Sequence, residues 1–522
     1  MKKSLYSFLA QHAELLITML LACYYIYLAI NLQTEGWYTP ESLFFSEKAS
    51  LLFSGENNTL KISLFTYPLI GFLVSLPFSL LDTLSGPVIA SSLGMAGICF
   101  YLLRAFRQQN MGYFLQVATL MLFVLHPSIV YAAISGSGDY ITIFVLIIFY
   151  VTLFHYLSKG STFHLAISSI LLSVILLVDY KLLWVGIFVF PILVVASVNR
   201  MNLQEQTFLS KIRQICRDKT LFNEFSLSIF SRVFLFYVLP IIMVMAHIIL
   251  NQLYTDSPYY FIESLYANVD AHEILKGSNT LFGSPNVIYA SLWVVIGYFS
   301  LTIAPLFVLT IYLIRRNSSQ LFILFSFILL LALQVLIYPF IPKGVLFVAF
   351  IFILMLSINE SNWHKHQSSF TKYTLLIAVI VGIVGSYYTI DKQRIWAEKV
   401  ITDIVLTNSI PEVYKEEKRI VDFIQKNVKD DARILSDDAN TFQIVALYNN
   451  PKRFILPYHQ QYKQIKQNPV SRIQYILVSR PDKFFMLTSE LSLQFYNTMA
   501  KDKTDYYPIF ESEKWVIYEV RQ

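Results

Sequence analysis

Charge is what this sequence most lacks. Of 522 residues, 14% are Asp, Glu, Lys or Arg, little more than half the roughly 25% of an ordinary soluble chain. With 56% hydrophobic residues and a mean hydropathy of +0.54, a water-soluble globular protein is excluded. Cysteine is scarce as well. Cys23, Cys99 and Cys216 are scattered, which leaves neither a disulfide framework nor a cysteine metal cluster. A small-residue cleavage site is missing after the first apolar run, so Met1–Ile30 reads as a retained helix and not as a signal peptide. The net charge of +6 and pI near 8.8 reflect Lys and Arg on inner loops, and no nucleic-acid partner is expected.

What is present is a series of apolar segments, near 14–33, 60–81, 86–103, 112–133, 140–157, 163–178, 182–198, 232–250, 287–311, 318–339, 343–357 and 372–390. A bilayer crossing needs about 20 such residues. The chain therefore reads as a polytopic α-helical membrane protein of 11–13 transmembrane helices, followed by a C-terminal extracytoplasmic α/β domain. Lys2, Lys3, the basic loop 199–231, Arg315 and Arg316 mark the inner face. Counting forward and backward from these marks gives opposite sides by residue 134. One segment between 60 and 133 must therefore fail to cross or must cross twice. The stretch 82–103, interrupted by Asp82 and Pro87, is the weakest span. Residues 1–391 form the membrane domain, with a long external loop at 34–60, and residues 392–522 the soluble one. In the latter, 432–436, 453–456, 475–479 and 515–519 read as strands and 441–448 as a helix. Asp437-Asp438 at the first strand end is either a catalytic pair or, as such pairs more often are, a turn and helix cap.

The stretch Gly36–Pro68 organises the rest. It is longer than a connector needs, and it carries Glu41 and Glu47 beside the membrane. Residues 41–53 suit a helix lying in the interface plane. Two readings of Glu41 stand: a helix-start carboxylate after Pro40, or part of an active site where this loop meets the membrane helices. Asp139, after Ser135-Gly-Ser-Gly138, is either an N-cap or a functional acid near hydrocarbon. Asp179 and Lys181 separate two apolar segments on the outer side. They form a loop pair or, through Lys181, a phosphate contact. Lys343, after Pro342, is a second basic group outside. In the loop 251–286, Tyr259, Tyr260, Phe261 and Tyr266 suit an aromatic belt. Glu263, Asp270, His272 and Glu273 are its polar residues, without a recognised metal-ligand spacing.

Glu41-Ser-Leu-Phe-Phe45-Ser-Glu47-Lys-Ala49, Gly55 to Thr66-Tyr67-Pro68-Leu69, Asp139, Ser257–Asn268 and Pro451-Lys-Arg453-Phe-Ile together resemble the GT-C superfamily of membrane glycosyltransferases. The resemblance is to the branch holding protein mannosyltransferases and the aminoarabinose transferase of lipid A. It implies that Glu41 takes the place of a catalytic aspartate, Phe45 that of a tyrosine and Glu47 that of a later glutamate. Glutamate for aspartate, preceded by Pro40 in place of another acid, is a departure from that pattern. The implied partners are a polyprenyl-phosphate sugar donor, an extracytoplasmic acceptor and membrane lipids. Glu41 and Asp139 are the implied catalytic pair, and Glu47, Asp179, Lys181, Tyr259, Glu263 and Lys343 the implied substrate contacts. No cofactor is implied, a divalent metal being the one open addition. The implied location is the cell inner membrane, with the C-terminal domain on the periplasmic side. A transporter or flippase of a lipid-linked or anionic substrate, and a non-catalytic envelope scaffold, are the alternative readings.

Overall fold

Proline sets the breaks among the first membrane helices. The computed structural model describes residues 2–55, 59–201, 208–255, 257–268, 296–315, 318–337, 344–358, 368–392, 397–411, 413–470, 472–480, 491–492 and 505–521. Helix α1 (Lys2–Thr34) is followed by α2 (Pro40–Ser54), α3 (Thr59–Phe65), α4 (Leu69–Ser79), α5 (Gly86–Gln108), α6 (Tyr113–Leu125), α7 (Pro127–Ile134), α8 (Asp139–Lys159) and α9 (Thr162–Val178). Then come α10 (Leu183–Arg200), α11 (Phe208–Arg217), α12 (Lys219–Thr255), the single turn α13 (Tyr260–Glu263), α14 (Ala304–Ile314), α15 (Ser318–Ile337), α16 (Val345–Ser357) and α17 (Ser369–Asp391). Among the described residues, seven helices are long and apolar enough to cross a bilayer, or eight if α6 and α7 form one bent span. Four further apolar helices are shorter. The molecule is a polytopic membrane protein with a strand-containing C-terminal domain.

The segment expected to be weakest is a 23-residue helix, α5. Pro87 falls at its first positions, where the missing amide costs nothing, and Asp82 Oδ2 accepts from the Ser85 amide at 2.9 Å just ahead of it. The breaks lie on either side instead. The 60–81 run splits at Thr66–Pro68 into α3 and α4. The 112–133 run bends by 63° at His126-Pro127, because a residue before proline is held extended. His126 has φ −78° and ψ 121°.

The C-terminal domain is a five-stranded mixed sheet, order β2-β1-β3-β5-β4. Its strands are β1 (Ile434–Ser436), β2 (Phe454–Ile455), β3 (Tyr475–Ser479), β4 (Tyr506–Glu511) and β5 (Trp515–Val520). β1 pairs parallel with β2 and β3, while β5 runs antiparallel to both β3 and β4. β1 and β3 are buried throughout, as apolar runs at the centre of a covered sheet should be. Helices α18 (Lys399–Thr407), α19 (Lys415–Asn427), α20 (Asp438–Tyr448) and α21 (Tyr462–Gln467) complete it.

Among the described residues, α2 belongs to the second of three apolar cores, the third lying within the C-terminal sheet domain. The first fills the membrane bundle, with Phe123 stacked on Phe352 at 5.0 Å. The second joins α2 and α4 to the outer domain: Phe44 meets Phe442 edge-on at 5.6 Å, and Phe45 lies 6.0 Å from Phe72. The interface-plane helix expected over 41–53 is therefore corrected. It forms, over Pro40–Ser54, but Glu41 through Leu51 are all buried between bundle and domain. α5 and α8 both start beside α2. Their far ends carry Arg104, Arg107 and Lys159, and Arg200 closes on Gly160 there. Positive charge at the end away from the sheet makes the C-terminal domain extracytoplasmic.

Candidate active site

Thr39 begins the site. Its Oγ1 caps α2 by accepting from the Ser42 amide at 3.1 Å, and it donates to the Ser135 carbonyl at 2.6 Å. One hydroxyl thus fixes the helix start to the turn that precedes α8. That turn needs glycine. Gly136 has φ +70°, and a Cβ there would lie 2.8 Å from Ser42 Cβ. Gly138 and Gly71 of α4 pack backbone to backbone, a Cβ on Gly71 lying 3.2 Å from Gly138 Cα. Ser91 Oγ accepts from the Gly136 amide at 3.1 Å, and the Ser135 and Ser137 hydroxyls are 2.8 Å apart.

Within this frame Glu41 Oε1 accepts from the Gly138 amide at 2.9 Å. The next residue, Asp139, opens α8. Both acids are buried, each 7% exposed. Asp139 is not the N-cap: Gly138 holds that position and supplies no side chain, so Asp139 lies in the first turn, where the helix dipole favours an anion. Asp139 Oδ2 is buried with no hydrogen-bond partner among the described residues, and so are Ser42 Oγ and the Tyr140 hydroxyl, each adjacent in sequence to one of the two acids. Buried polar atoms are normally paired. Asp139 Oδ2 and the hydroxyls of Ser42 and Tyr140 are thus departures from that rule among the described residues.

Asp179 and Lys181 belong to the same end of the bundle. Asp179 Oδ1 accepts from the Lys181 amide at 2.9 Å and caps a short turn over Tyr180–Leu182. The Tyr180 amide donates to the Tyr67 hydroxyl, and the two rings lie 5.3 Å apart. Tyr67 is followed by a cis peptide to Pro68 and then by α4, which carries Gly71 to Gly138. Lys181 is buried. The loop segment 257–268 closes on the same strip: the Tyr67 amide donates to the Ala267 carbonyl at 2.6 Å, and Phe261 packs on Tyr67. Tyr259 and Glu263 lie on the outer surface of that segment, Tyr259 being 47% exposed, and are not gathered with Glu41. Lys343, Asp270, His272 and Glu273 lie outside the described residues. No three His, Cys, Asp or Glu residues converge among the described ones.

Glu47 occupies a second centre. With Lys48 and Asp438 it forms a fully buried ion cluster between α2 and α20. Lys48 Nζ is 2.9 Å from Glu47 Oε2 and is hydrogen-bonded to Asp438. The ammonium also lies 4.6 Å from the ring centres of both Phe44 and Tyr458. Burial, then the Asp438 carboxylate, push Glu47 well above the usual carboxylate range, with Lys48 only partly offsetting them. Burial opposes charge on Lys48, but Asp438 and Glu47 together hold its pKa above the usual value. The Tyr458 phenol is raised by burial and by Asp438, and it donates to the Tyr266 carbonyl. Asp437 is the cap expected at the strand end, accepting from the Ala439 amide at 2.9 Å, whereas its neighbour Asp438 holds Lys48.

Sequence reasoning missed Thr39 and Lys48, and it singled out Asp438 without its partner Lys48. For Lys48 a signal was there. Glu41, Phe44, Phe45, Lys48 and Leu52 recur at helical spacing, so a cation lies on the apolar stripe and must find a buried anion.

No family profile matches the chain, and no curated protein does so either. Among solved structures, it is similar to ArnT from Cupriavidus metallidurans bound to undecaprenyl phosphate, at 13% identity and a TM-score of 0.50, over 97% of this chain and 98% of that one. The apo state of the same protein aligns at 12% identity and a TM-score of 0.49, over 98% of both. At this identity the likeness is one of fold: a membrane helix bundle with an outer C-terminal domain.

Proposed function

We propose that this protein is an inverting glycosyltransferase of GT-C type. It moves a sugar from a polyprenyl-phosphate donor to an extracytoplasmic acceptor. The observation that carries the reading is the Glu41 carboxylate hydrogen-bonded at 2.9 Å to the amide beside Asp139, next to unpaired buried polar atoms, at the outer end of the bundle. The ArnT structure of the same fold, solved with undecaprenyl phosphate, supports a lipid phosphate as donor.

In this reading Glu41 takes the proton of the acceptor hydroxyl or amine. That atom bonds to the anomeric carbon as the bond from the carbon to the phosphate oxygen breaks, and polyprenyl phosphate leaves. Asp139 orients the acceptor. Lys181 neutralises the phosphate, Lys343 being the second candidate for that task, and Tyr259 and Glu263 meet substrate at the rim. Glu47 acts at a distance, by holding α2 and hence Glu41. Positioning and charge neutralisation supply most of the acceleration. The polar groups lie at one membrane face, which argues against a transport path through the midplane.

The test is transfer from a labelled polyprenyl-phosphate sugar by purified protein in liposomes. Glu41→Gln is expected to lower the rate about 10²- to 10⁴-fold, the range for losing a general base. Asp430→Asn, fully exposed on the outer domain, is expected to leave it unchanged. Undiminished transfer by Glu41→Gln would remove the residue from the mechanism.

A further inference from the structure

At the opposite end of the bundle the structure holds a cavity of ≈ 850 Å³ that the proposed chemistry does not use. It lies among α5, α8, α15 and α16. Arg104 and Gln108 come from α5 and Gln109 from just beyond its end, Tyr150 and His155 from α8, and Gln320 from α15. Arg104 is 18 residues beyond the start of α5 and His155 is 16 beyond the start of α8. At 1.5 Å per residue these groups stand roughly 25 Å from the Glu41 end, at the level where basic residues mark the cytoplasmic face. The inner wall is tied together: the Tyr150 hydroxyl and Ser357 Oγ are 2.5 Å apart, and Gln320 Nε2 donates to the Ser357 carbonyl at 3.3 Å. The guanidinium of Arg104 is exposed and rests 5.9 Å from the Phe100 ring centre. Among the described residues, no acidic one lines the cavity.

A free anion would need only this polar end. The helices supply more. On α8, Phe144, Ile148, Val151 and His155 recur at one helical stripe, with Phe144 exposed and Ile148 half-buried. On α5, Leu93 and Gly97 precede Arg104 on one stripe. Leu93 is exposed, and a Cβ on Gly97 would meet nothing within 4 Å. Tyr101 and Phe144 meet edge-on at 6.0 Å and join the two stripes. An apolar track therefore runs from the basic cavity into the depth of the membrane. Basic pockets between helices at the cytoplasmic face suit anionic lipid headgroups.

We infer that this cavity binds an anionic phospholipid of the inner leaflet, with the headgroup phosphate on Arg104 and the acyl chains along the α5–α8 track. The planar guanidinium matches a phosphate diester in a two-bond geometry. The glutamines hydrogen-bond the headgroup.

The experiment is native mass spectrometry of the full chain, released from nanodiscs of phosphatidylcholine containing phosphatidylglycerol. Wild type is expected to retain phosphatidylglycerol over phosphatidylcholine, and Arg104→Gln to retain it about tenfold less, the loss of one charge-assisted contact. Arg107→Gln, at an exposed arginine paired with Glu14 at 3.3 Å and outside the cavity, is expected to match wild type. Ala105→Trp, which fills the cavity while keeping its charge, is expected to lose the lipid as well. Equal retention of the two lipids, equal retention by wild type and Arg104→Gln, or displacement of phosphatidylglycerol by millimolar glycerol phosphate would overturn the inference. The last outcome would mark a free-phosphate site. None of these results bears on Glu41, so the two proposals stand or fall separately.

Discussion

Replacing Lys48 with methionine is the perturbation that reaches furthest. The side chain is fully buried, with Asp438 and Glu47 as its ion partners and Phe44 and Tyr458 against the ammonium. Methionine keeps most of the volume but deletes the cation. Asp438 then faces Glu47 with no counter-charge, and an uncompensated buried charge costs about 3–5 kcal/mol. The cost falls on the contact between α2 and α20, because no other ion pair joins these two helices among the described residues. At 1.4 kcal/mol per decade, the opened population rises roughly 10²- to 4 × 10³-fold. Hydrogen exchange on peptides spanning Pro40–Ser54 and Asp438–Tyr448 reads that change directly, with peptides of the α5–α8 bundle as the unchanged reference. Since Glu41 and Lys48 are two turns apart on one helix, transfer should fall in parallel. The triple variant Glu47→Gln, Lys48→Met, Asp438→Asn removes every charge and should recover most of the protection. Unchanged exchange in Lys48→Met would refute the claim that this cluster holds α2 in place.

The same cluster carries a pH dependence. Because Glu47 is held above its ordinary value of 4.5, the folded state binds a proton that the unfolded chain has released. The stability of this contact should therefore fall as pH rises from about 4.5 to the raised folded-state value, and level off above it. Glu47→Gln should flatten that slope in pH-dependent exchange or melting. Gly136→Ala should cost about 1–3 kcal/mol, from φ +70° and a Cβ at 2.8 Å from Ser42, and should disturb the Glu41 contact. Gly97→Ala, with open space around it, should be neutral to stabilising by thermal melting. Thr39→Val should remove the α2 cap, about 1 kcal/mol, and lower transfer by shifting Glu41, while Thr39→Ser should restore both. A pure stability effect would leave the rate per folded molecule unchanged.

Local patterns were readable where neighbouring residues decide the structure. The helix expected at 41–53 spans 40–54, and the strand at 475–479 has those limits. Asp437 caps as turn chemistry demands. Glu41 and Glu47 gave no sign that α2 is buried, because they look like a solvated face; the one hint was Lys48 on the apolar stripe, and its partner Asp438 comes nearly four hundred residues later. β4 was missed because Tyr506-Tyr-Pro-Ile-Phe-Glu511 carries a proline inside a strand, a residue that argues against one; the register shift at Pro508/Phe510 accommodates it at the sheet edge. The helix 86–108 was underrated because Pro87 was read as an interruption when it stands in the first turn. Of the candidate site, the acids were legible as charges beside hydrocarbon. What joins Glu41 to Asp139 is a backbone amide and a pair of glycines, which no side-chain pattern announces.

The wedging of α2 beneath α20 also sets an order of events during synthesis. Residues 40–54 leave the ribosome early, but Asp438 follows only after nearly four hundred more have been made. Through that interval the nascent loop carries an unmatched lysine and a row of uncovered phenylalanines on the far side of the membrane. The segment bearing the proposed base reaches its working position last, when the final quarter of the chain has been exported and folded over it. A chain truncated before residue 438 would thus insert its helices yet never complete its outer centre.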